Sequence, residues 1–417
     1  MLLFLVRSKF LEIMSEVHTV VNKLNTLNID NLQKKFVELF GEGRINERVI
    51  RASAPGRVNL IGEHTDYHFG FVLPVAINLR TFVVARKRDD NIIKICSINL
   101  NKTVVRNINE LIPDKKDWSS YVLGPFYILR KSGFDINGVE MLIYGEVPFG
   151  GGLSSSASVQ VAVLESLVGL YNIRIDNLEK AKLARQAENE FVAVPCGIMD
   201  QMASVFGEKN CALLIDCKTL QVEKIRIPSN WKIVVCDSGI RHSLASSEYS
   251  KRQEECKIAV DAIKKNHPEV ASLREAKSEY LEEVKDKIPE TSYRRCAYVL
   301  AENKRVLEAK NALSEGKEQM IKRLFYDSHC GLKNDYEVTC EEIDILVSIA
   351  QDLDGCIGAR MTGGGFGGNI VCLVKDSFTE KFVRDIKQKY KNYVGKDTEV
   401  RILESDSGSG SQIIQIK

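Results

Sequence analysis

The hydrophobic pattern of the N-terminal third changes from a helical period to strand-like runs. Between residues 15 and 41, large apolar side chains recur every three to five positions, which predicts a helix that ends at Gly41 and Gly43. These side chains are Val20, Leu24, Leu27, Leu32, Phe36 and Phe40. Runs rich in β-branched residues follow, mostly bounded by Gly, Asp or Asn, and predict strands at 49–52, 71–75, 81–86, 92–97 and 139–144. The first third is therefore predicted to mix strands with helix.

The remainder of the chain continues this mixture. An amphipathic helix at 157–171 follows a glycine-rich loop and is succeeded by an Ala-rich helix at 178–193. Later segments predict strands at 211–215, 232–235 and 370–374, charged helices within 245–350, and a helix at 382–393. No fixed-period repeat is present in the sequence.

Chain length sets the expected number of domains. At 417 residues, the chain exceeds the size at which one hydrophobic core stops growing. The strand-like block after residue 205 marks the predicted boundary. We therefore predict an α+β protein with an N-terminal domain at 1–210 and a C-terminal domain at 211–417. A cleft between two domains is a natural place for a site.

Charge and cysteine content exclude several classes of function. The chain has 58 basic and 56 acidic residues and no long block of one sign, so no nucleic acid partner is expected. Eleven cysteines include no Cys-x-x-Cys pair, which predicts reduced thiols in a cytoplasmic protein. Residues 1–6 are too few for a signal peptide, and Met14 offers a second start, so residues 1–13 are either a packed helix or an extension. No stretch reaches the ~20 apolar residues of a membrane span.

The densest group of polar side chains lies in residues 56–67, which read Gly-Arg-Val-Asn-Leu-Ile-Gly-Glu-His-Thr-Asp-Tyr. They combine a guanidinium (Arg57), two carboxylates (Glu63 and Asp66), an imidazole (His64) and an amide (Asn59) with apolar neighbours. Burying such groups is costly unless they are paired, so the segment predicts an internal network or a site for a polyhydroxy ligand. The alternative is a solvated turn after a strand, although a turn needs neither Arg57 nor both carboxylates.

A second segment, Pro148-Phe-Gly-Gly-Gly-Leu-Ser-Ser-Ser-Ala-Ser158, connects a predicted strand to a predicted helix. Glycines let backbone amides approach an anion, and a helix N-terminus adds unpaired donors and partial positive charge. The segment has neither the Gly-Lys-Ser/Thr of a P-loop nor the Gly-x-Gly-x-x-Gly of dinucleotide sites. We interpret it as a phosphate-binding loop. A Gly/Ser hinge is the alternative, but a hinge does not require three consecutive hydroxyls before a helix.

Two carboxylates follow this phosphate loop. Glu188 lies on the second predicted helix, and Asp200 lies in Pro195-Cys-Gly-Ile-Met-Asp-Gln201. Mg²⁺ takes oxygen ligands from one or two carboxylates or hydroxyls together with phosphate oxygens. Ser156 and Glu188 are therefore candidate magnesium ligands. For either carboxylate alone, a surface or helix-capping role is the alternative.

A glycine cluster, Met361-Thr-Gly-Gly-Gly-Phe-Gly-Gly368, precedes the predicted strand at 370–374. Five glycines in six positions are costly in chain entropy, which indicates that something approaches the backbone there. A tight turn is the alternative, but it needs only one or two glycines.

Together these segments resemble the GHMP family of small-molecule kinases, and residues 56–67 resemble the signature of its galactokinase branch. The resemblance covers nearly the whole chain from about residue 50. It continues through Phe71-Val-Leu-Pro74, Pro195–Gln201, Arg241-His-Ser-Leu-Ala-Ser-Ser-Glu-Tyr249, Asp335-Tyr-Glu-Val338 and Met361–Gly368. It implies an N-terminal domain like ribosomal protein S5, a C-terminal ferredoxin-like α/β domain, and an active site between them.

The implied activity is transfer of the γ-phosphoryl group of ATP, with Mg²⁺, to the C1 hydroxyl of galactose, the first committed step of galactose catabolism. A monomer or weak homo-oligomer is expected. Carried over by position, the sugar contacts are Arg57, Glu63, His64, Asp66, Gly197, Asp200 and Tyr249, with Gly364 closing the site. The expected contacts to the nucleotide phosphates are Gly150, Gly151, Gly152, Leu153, Ser154, Ser155, Ser156, Ala157 and Ser158, and Trp118 is expected near the nucleotide. Ser156 and Glu188 are the expected magnesium ligands.

The resemblance also implies which residues take part in catalysis and which select the sugar. Asp200 is the expected acceptor of the C1 hydroxyl proton, and Arg57 is expected to stabilise developing negative charge. A nearby guanidinium weakens a carboxylate as a base, so an orienting role for Asp200 stays open. Glu63, His64 and Asp66 are expected to select an axial C4 hydroxyl, because a site that hydrogen-bonds a hydroxyl rejects the epimer that leaves its polar groups unpaired.

Some positions depart from the family pattern, and other functions remain open. His68 and Phe69 stand where the family usually has Asn followed by a small or acidic residue, Asn369 replaces a common Cys, and 330–334 also differ. These departures concern tolerance for altered sugars. Kinases of N-acetylgalactosamine, galacturonate or arabinose are the nearest alternatives. A further alternative is a galactokinase-like sensor, which binds galactose and ATP and then binds a transcriptional regulator without catalysis. Such a sensor could lack part of the Ser154–Ala157 stretch or Asp200, and both are present here.

Overall fold

A computed structural model of the chain describes residues 29–42, 48–114, 117–241 and 245–414. The predicted N-terminal helix is present in this part as α1 (Ile29–Phe40). It ends where predicted, because Gly41 has a φ of 80° and donates its N–H to the carbonyl of Val37 at 2.7 Å. The predicted helical positions Val20, Leu24 and Leu27, and the question of residues 1–13, lie outside the described residues.

Groups of strands and groups of helices follow one another along the described chain. The first group comprises β1 (Val49–Asn59), β2 (Phe71–Val72), β3 (Pro74–Lys87), β4 (Ile92–Ser97), β5 (Lys102–Asn107), α2 (Ser120–Lys131), β6 (Val139–Gly145), α3 (Ser155–Tyr171), α4 (Asn177–Gln186) and α5 (Met199–Phe206). The second comprises β7 (Cys211–Asp216), β8 (Gln221–Arg226), β9 (Trp231–Asp237), α6 (Ala245–Asn266), α7 (Ser278–Val284), α8 (Glu290–Ser314), α9 (Glu318–Asn334), α10 (Glu341–Gln351), β10 (Cys356–Thr362), β11 (Asn369–Lys375), α11 (Thr379–Val394), β12 (Val400–Leu403) and β13 (Gly410–Ile414). The strands and helices that the pattern predicts after residue 48 are therefore confirmed in kind, although β1 continues to Asn59 and the strand predicted at 71–75 spans β2 and the start of β3.

One boundary differs from the helical pattern in an informative way. The Ala-rich helix predicted at 178–193 is α4 followed by a π-helical turn at Ala187–Val192. Such turns occur mostly as single insertions inside helices, often at functional sites. Ala193 then ends the turn with a φ of 58°. Glu188, one of the candidate magnesium ligands, lies within this turn.

A six-stranded sheet of order β13-β1-β3-β6-β4-β5 forms the centre of the N-terminal half. Both faces of the sheet are covered along the second half of β3, so the successive residues 81–86 are all buried. Val83 and Ala85 belong to the core shared with α3, while Phe82 and Val84 pack with Leu32 and the other buried residues of α1. This explains why residues 82–85 of β3 read as a continuous apolar run rather than as an alternation.

The C-terminal half contains a four-stranded antiparallel sheet of order β10-β11-β9-β12, with α6 to α11 packed around it. A small sheet of order β2-β7-β8 lies beside it. A hydrophobic cluster that includes Val58, Val235 and Val371 joins strands of both halves. The α+β architecture expected from the sequence is present. The division at residue 210 stays a prediction, and β13 returns to pair with β1 across it.

A buried charge network holds the two halves together. Arg360 on β10 is fully buried and donates to the carbonyl of Leu60 at 3.1 Å and to Ser328 Oγ at 3.1 Å. The guanidinium pairs with Glu63, and its Nη2 atom lies 3.8 Å from Glu302 Oε1. Glu302 in turn accepts hydrogen bonds from Ser328 and from the backbone N–H of Gly62 at 3.0 Å. The segment after β1 is therefore fixed to α8, α9 and β10.

Within the described residues, no helix is long and apolar enough to cross a membrane.

Replacing Arg360 with Met should lower the free energy of unfolding by about 3–5 kcal/mol, because the buried carboxylate of Glu63 loses its cation, whereas Glu302 keeps Arg305 at 2.6 Å. Urea unfolding followed by circular dichroism would measure it. Lys381→Met removes a lysine from an exposed pair with Asp354 and should leave the midpoint unchanged. A loss below about 1 kcal/mol for Arg360→Met would contradict the structural importance of the network.

Candidate active site

Two adjoining cavities lie between the halves of the protein. The first has a volume of about 790 Å³, and the second about 690 Å³. Their walls share six residues, namely Arg57, Gly150, Gly152, Asp200, Gly363 and Gly364. The predicted sugar residues Glu63, His64, Asp66, Gly197 and Tyr249 line the first cavity. Trp118 and Ser154–Ser156 line the second.

Arg57 lies at the junction of the two cavities, near the end of β1. An irregularity in the pairing of β1 with β3 occurs between Pro55 and Arg57. The buried guanidinium donates to the carbonyl of Gly152 at 2.6 Å, and its Nη2 atom lies 2.7 Å from Asp200 Oδ1. The backbone N–H of Arg57 donates to the carbonyl of Leu153 at 3.1 Å. Arg57 thus contacts both the phosphate loop and Asp200.

Asp200 is held through both of its oxygens. It lies in the first turn of α5 and retains access to both cavities. Oδ1 faces Arg57, and Oδ2 accepts a hydrogen bond from Ser154 Oγ at 2.5 Å. The carboxylate is therefore fixed where the two cavities meet.

His64 is oriented by a chain of phenol groups. Its backbone has a φ of 62°, and Nδ1 lies 2.7 Å from Tyr67 Oη, which lies 2.9 Å from Tyr336 Oη. Burial lowers the pKa of His64 to about 3, so the imidazole is neutral at physiological pH. Nε2 is buried and has no hydrogen-bond partner among the described residues. A neutral ring at the wall of a cavity is suited to a hydroxyl.

Asp66 and Gly197 form one wall of the first cavity. A Cβ atom on Gly197 would lie 1.8 Å from Asp66 Oδ2, so only glycine permits this approach. Burial, followed by the negative charge of Asp200, raises the pKa of Asp66 to about 6. Near pH 7 the site therefore contains two neighbouring carboxylates whose repulsion a bound hydroxylic ligand can reduce by hydrogen bonding.

Glu63 lines the first cavity, but its carboxylate is largely engaged by the C-terminal half. It pairs with Arg360 and accepts hydrogen bonds from Thr362 Oγ1 at 3.1 Å and from the N–H of Gly363 at 3.2 Å. Burial raises its pKa, and the charge of Arg360 opposes that effect. Glu63 therefore connects the sugar segment to the glycine cluster.

Tyr249 completes the aromatic side of the first cavity. Its ring centroid lies 5.4 Å from that of His64 and 5.0 Å from that of Tyr67. A Cβ atom on Gly364 would lie 4.0 Å from its ring, so Gly364, which also belongs to the C-terminal half, faces the same space.

Within the phosphate loop, some side chains line the second cavity and others are buried in the protein. Ser154, Ser155 and Ser156 line the second cavity, together with Trp118 and other mostly apolar residues such as Leu100 and Val122. The side chains of Leu153 and Ala157 are fully buried. Ser158 Oγ donates to the carbonyl of Ala54 and lies 2.8 Å from Thr81 Oγ1. These last three residues can therefore serve a ligand only through their backbone.

The two glycine-rich segments contact each other directly. A Cβ atom on Gly363, whose φ is 87°, would lie 3.0 Å from Gly152 Cα. A Cβ atom on Gly367 would lie 2.6 Å from the carbonyl oxygen of Ile240. Part of what approaches the glycine cluster is thus the backbone of the protein itself. Asn369, which follows the cluster, donates to the carbonyl of Gly151.

The donor set beside the phosphate loop fits a magnesium ion. Glu188 is buried and accepts a hydrogen bond from Gln201 Nε2 at 2.8 Å. Burial and the charge of Asp200 raise the pKa of Glu188 to about 7, while a hydrogen bond with Ser156 opposes that change. A hydroxyl beside a buried carboxylate, next to a space for phosphates, matches the preference of Mg²⁺ for few protein ligands plus phosphate oxygens. Among the described residues there is no group of three or more His, Cys, Asp or Glu that could hold a metal.

Sequence reasoning did not find several residues that shape the site. Arg360 and Glu302 fix Glu63, and Tyr336 orients Tyr67. Arg241, whose segment the resemblance included without a role, pairs with Asp237 at 2.6 Å and lines the first cavity. One available signal was Arg360 itself, because a lone charge within an apolar strand is buried only when it is paired.

Comparison with known proteins agrees with this geometry. Residues 120–208 and 309–392 match the families described as GHMP kinases N terminal domain and GHMP kinases C terminal. Residues 34–87 match the galactokinase galactose-binding signature. The chain is 41% identical over 384 residues to the galactokinase of Roseiflexus sp. (strain RS-1), covering 92% of this chain and 97% of that protein.

Solved structures give the same result. The crystal structure of Lactococcus lactis galactokinase complexed with galactose matches with a TM-score of 0.86 at 36% identity, over 91% of this chain and 99% of that one. The Methanococcus jannaschii mevalonate kinase, with a TM-score of 0.60 at 20% identity over 88% of this chain and 100% of that one, shares the fold alone. The fold and the site thus define a GHMP kinase, an ATP-dependent phosphotransferase. Within that class, the chain belongs to the galactokinase family.

Replacing Asp66 with Asn should stabilise the protein in a pH-dependent way. Because the folded-state pKa of Asp66 is raised from 3.8 to about 6, ionising it destabilises the fold. This penalty is absent below about pH 4, grows up to about pH 6 and is complete above it. We expect a gain of about 1–2 kcal/mol at pH 7.5, less than the full shift gives because the carboxylate borders a cavity.

Thermal unfolding of both proteins between pH 4.5 and 8 would test this expectation. The advantage of Asp66→Asn should shrink as the pH falls through 6. Asp397→Asn, at an exposed position, should show no such trend. An advantage for Asp66→Asn that is independent of pH, or a loss of stability at pH 7.5, would contradict the role of burial at this carboxylate.

Proposed function

We propose that phosphoryl transfer in this galactokinase takes place at the junction of the two cavities, with galactose in the first and MgATP in the second. The observation that supports this arrangement is that Arg57 and Asp200 belong to the walls of both cavities. The γ-phosphoryl group of ATP would then meet the C1 hydroxyl of D-galactose beside these two side chains. The products are galactose 1-phosphate and ADP.

On the sugar side, His64, Asp66, Gly197 and Tyr249 form the proposed contacts to galactose, with Glu63 behind them. The neutral imidazole and the carboxylate of Asp66 offer directional hydrogen bonds rather than a net positive charge. Glu63 is neutralised by Arg360, so this wall presents no free cation to a uronate. These features favour a neutral hexose over galacturonate.

On the nucleotide side, backbone N–H groups of Gly150–Ser158 and the N-terminus of α3 are the proposed phosphate ligands. Trp118 and its apolar neighbours in the second cavity are the proposed contacts for the nucleoside. Ser156 and Glu188 would hold Mg²⁺, which neutralises phosphate charge when bound.

In the proposed mechanism, Asp200 accepts the proton of the C1 hydroxyl as that oxygen bonds to phosphorus. Arg57 stabilises negative charge on the transferred group and holds Asp200 in place. The hydrogen bond from Arg57 to the carbonyl of Gly152 keeps the phosphate loop at a fixed distance from the site of the sugar hydroxyl. Catalysis of this kind depends chiefly on positioning and electrostatics, because phosphoryl transfer needs little covalent work by the protein.

We also propose a reducing, cytoplasmic location and a monomer or weak homo-oligomer. All eleven cysteines lie in the described residues and none forms a disulfide, which supports a reducing compartment. We keep the proposed division into domains at 1–210 and 211–417. In this division β13 belongs to the second domain by sequence but pairs with β1 of the first.

Asp200→Asn should reduce kcat by at least ~10² because it removes the proton acceptor but keeps the shape of the side chain. Galactose binding, measured by calorimetry, should change little. Asp397→Asn serves as a control for loss of an exposed aspartate and should retain parental kcat. Near-normal turnover in Asp200→Asn would sink the assignment of Asp200.

A sugar panel with MgATP, followed by ADP formation and by identification of the sugar phosphate, tests the substrate. We expect galactose to give a 1-phosphate, with glucose at least ~10²-fold poorer in kcat/KM, because the equatorial C4 hydroxyl leaves polar groups of the site unpaired. N-acetylgalactosamine and arabinose test the alternative kinases. Comparable use of glucose would contradict the proposed sugar contacts, and no ADP formation with galactose would favour a sensor.

A further inference from the structure

Ser154 occupies a backbone conformation that its residue type disfavours. It precedes α3 with φ 58° and ψ 48°, in the left-handed region. Such a conformation costs free energy for L-residues other than glycine. The same loop uses glycine at its other positive-φ positions, Gly150 and Gly152. A serine at such a position points to a function for its hydroxyl.

The hydroxyl of Ser154 has one proton, and it is already used in a hydrogen bond. Ser154 Oγ donates to Asp200 Oδ2 at 2.5 Å, although Ser154 also lines the nucleotide cavity. A hydroxyl that donates to a carboxylate has only lone pairs to offer a phosphate. Ser154 can therefore bind phosphate through its backbone N–H, while its side chain serves Asp200.

This hydrogen bond closes a ring that includes the phosphate loop. Arg57 donates to the carbonyl of Gly152 at 2.6 Å and contacts Asp200 Oδ1 at 2.7 Å. Ser154, two residues after Gly152, holds the opposite oxygen of the same carboxylate. Any shift of the loop therefore moves one or both supports of Asp200.

We propose that Ser154 is a positioning residue that acts through Asp200. It fixes the carboxylate toward the C1 hydroxyl and couples that orientation to the phosphate loop. The proposal rests on the proposed role of Asp200 as proton acceptor. During transfer, the C1 oxygen bonds to the γ-phosphorus, its proton passes to Asp200, and the bond from phosphorus to the β,γ-bridging oxygen breaks to release ADP. Ser154 keeps its own proton throughout.

Two substitutions separate positioning from backbone strain. Ser154→Ala removes the hydroxyl and keeps the strained Cβ, whereas Ser154→Gly removes both. We expect kcat to fall about 10- to 100-fold in each variant, because a misplaced acid-base group loses that much. KM for galactose and for ATP should change less than about 3-fold. The thermal midpoint of Ser154→Gly should equal or exceed that of the parent, since glycine accepts a positive φ without strain.

A double-mutant cycle tests whether Ser154 acts through Asp200. Once Asp200→Asn has removed the carboxylate, adding Ser154→Ala should lower kcat by less than about 2-fold. Ser166→Ala, on α3, removes a buried hydroxyl that donates to the carbonyl of Val163 at 2.7 Å. It should retain parental kcat and KM.

The possible failures are distinguishable. Parental kcat in Ser154→Ala, with Asp200→Asn still impaired, would overturn the inference and leave the proposed function standing. Multiplicative losses in the double variant would show that Ser154 acts independently of Asp200, and a raised KM for ATP with unchanged kcat would make it a phosphate ligand only. Near-normal turnover in Asp200→Asn would instead remove the proposed role of Asp200 itself.

Discussion

The buried guanidinium of Arg360 is the constraint on which the geometry of the site depends. Placing the cation of Arg360 and the carboxylates of Glu63 and Glu302 in the interior is costly unless they are paired, and Arg305 adds a second cation beside Glu302. That arrangement fixes the segment after β1 against β10 and α8. The walls of the sugar cavity come from both halves of the chain, and this network sets the distance between them. Glu63 is accordingly as much a part of the scaffold as of the site.

Around that scaffold, the active site combines backbone groups and a neutral imidazole with a few buried charges. The two glycine-rich segments meet through backbone atoms, which leaves room for a ligand on either side of the contact. His64 is kept uncharged by burial, and Asp66 is strained electrostatically by burial and by Asp200. Such a site stores unfavourable electrostatic energy when it is empty. Binding a ligand that donates hydrogen bonds to the carboxylates releases part of it.

Local sequence patterns predicted many of the strands and helices, although not β5, α2 or β8, and the family resemblance supplied most of the predicted residues that line the cavities, although no role for Arg241. Period-two and period-3.6 patterns depend on neighbours within one element, and β4 and α11 carry them clearly. The partners of those residues could not be inferred in the same way. Glu63 meets Arg360 across almost three hundred positions, and Tyr67 meets Tyr336 across a similar distance. The π-helical turn at Ala187–Val192 was also invisible, because one inserted residue barely disturbs an Ala-rich helical pattern.

The pairing of β13 with β1 has a consequence for how the protein is made. Ser53 on β1 lies opposite Gly410, so the edge of the first sheet stays open on the ribosome until residues 410–414 have been synthesised. An exposed strand edge is a template for wrong pairing, and contacts of such long sequence separation form slowly. The N-terminal half therefore cannot finish folding as an independent unit during translation. Its vulnerability to aggregation should be greatest in nascent or C-terminally clipped chains, in which the active-site residues are all present but the last strand is missing.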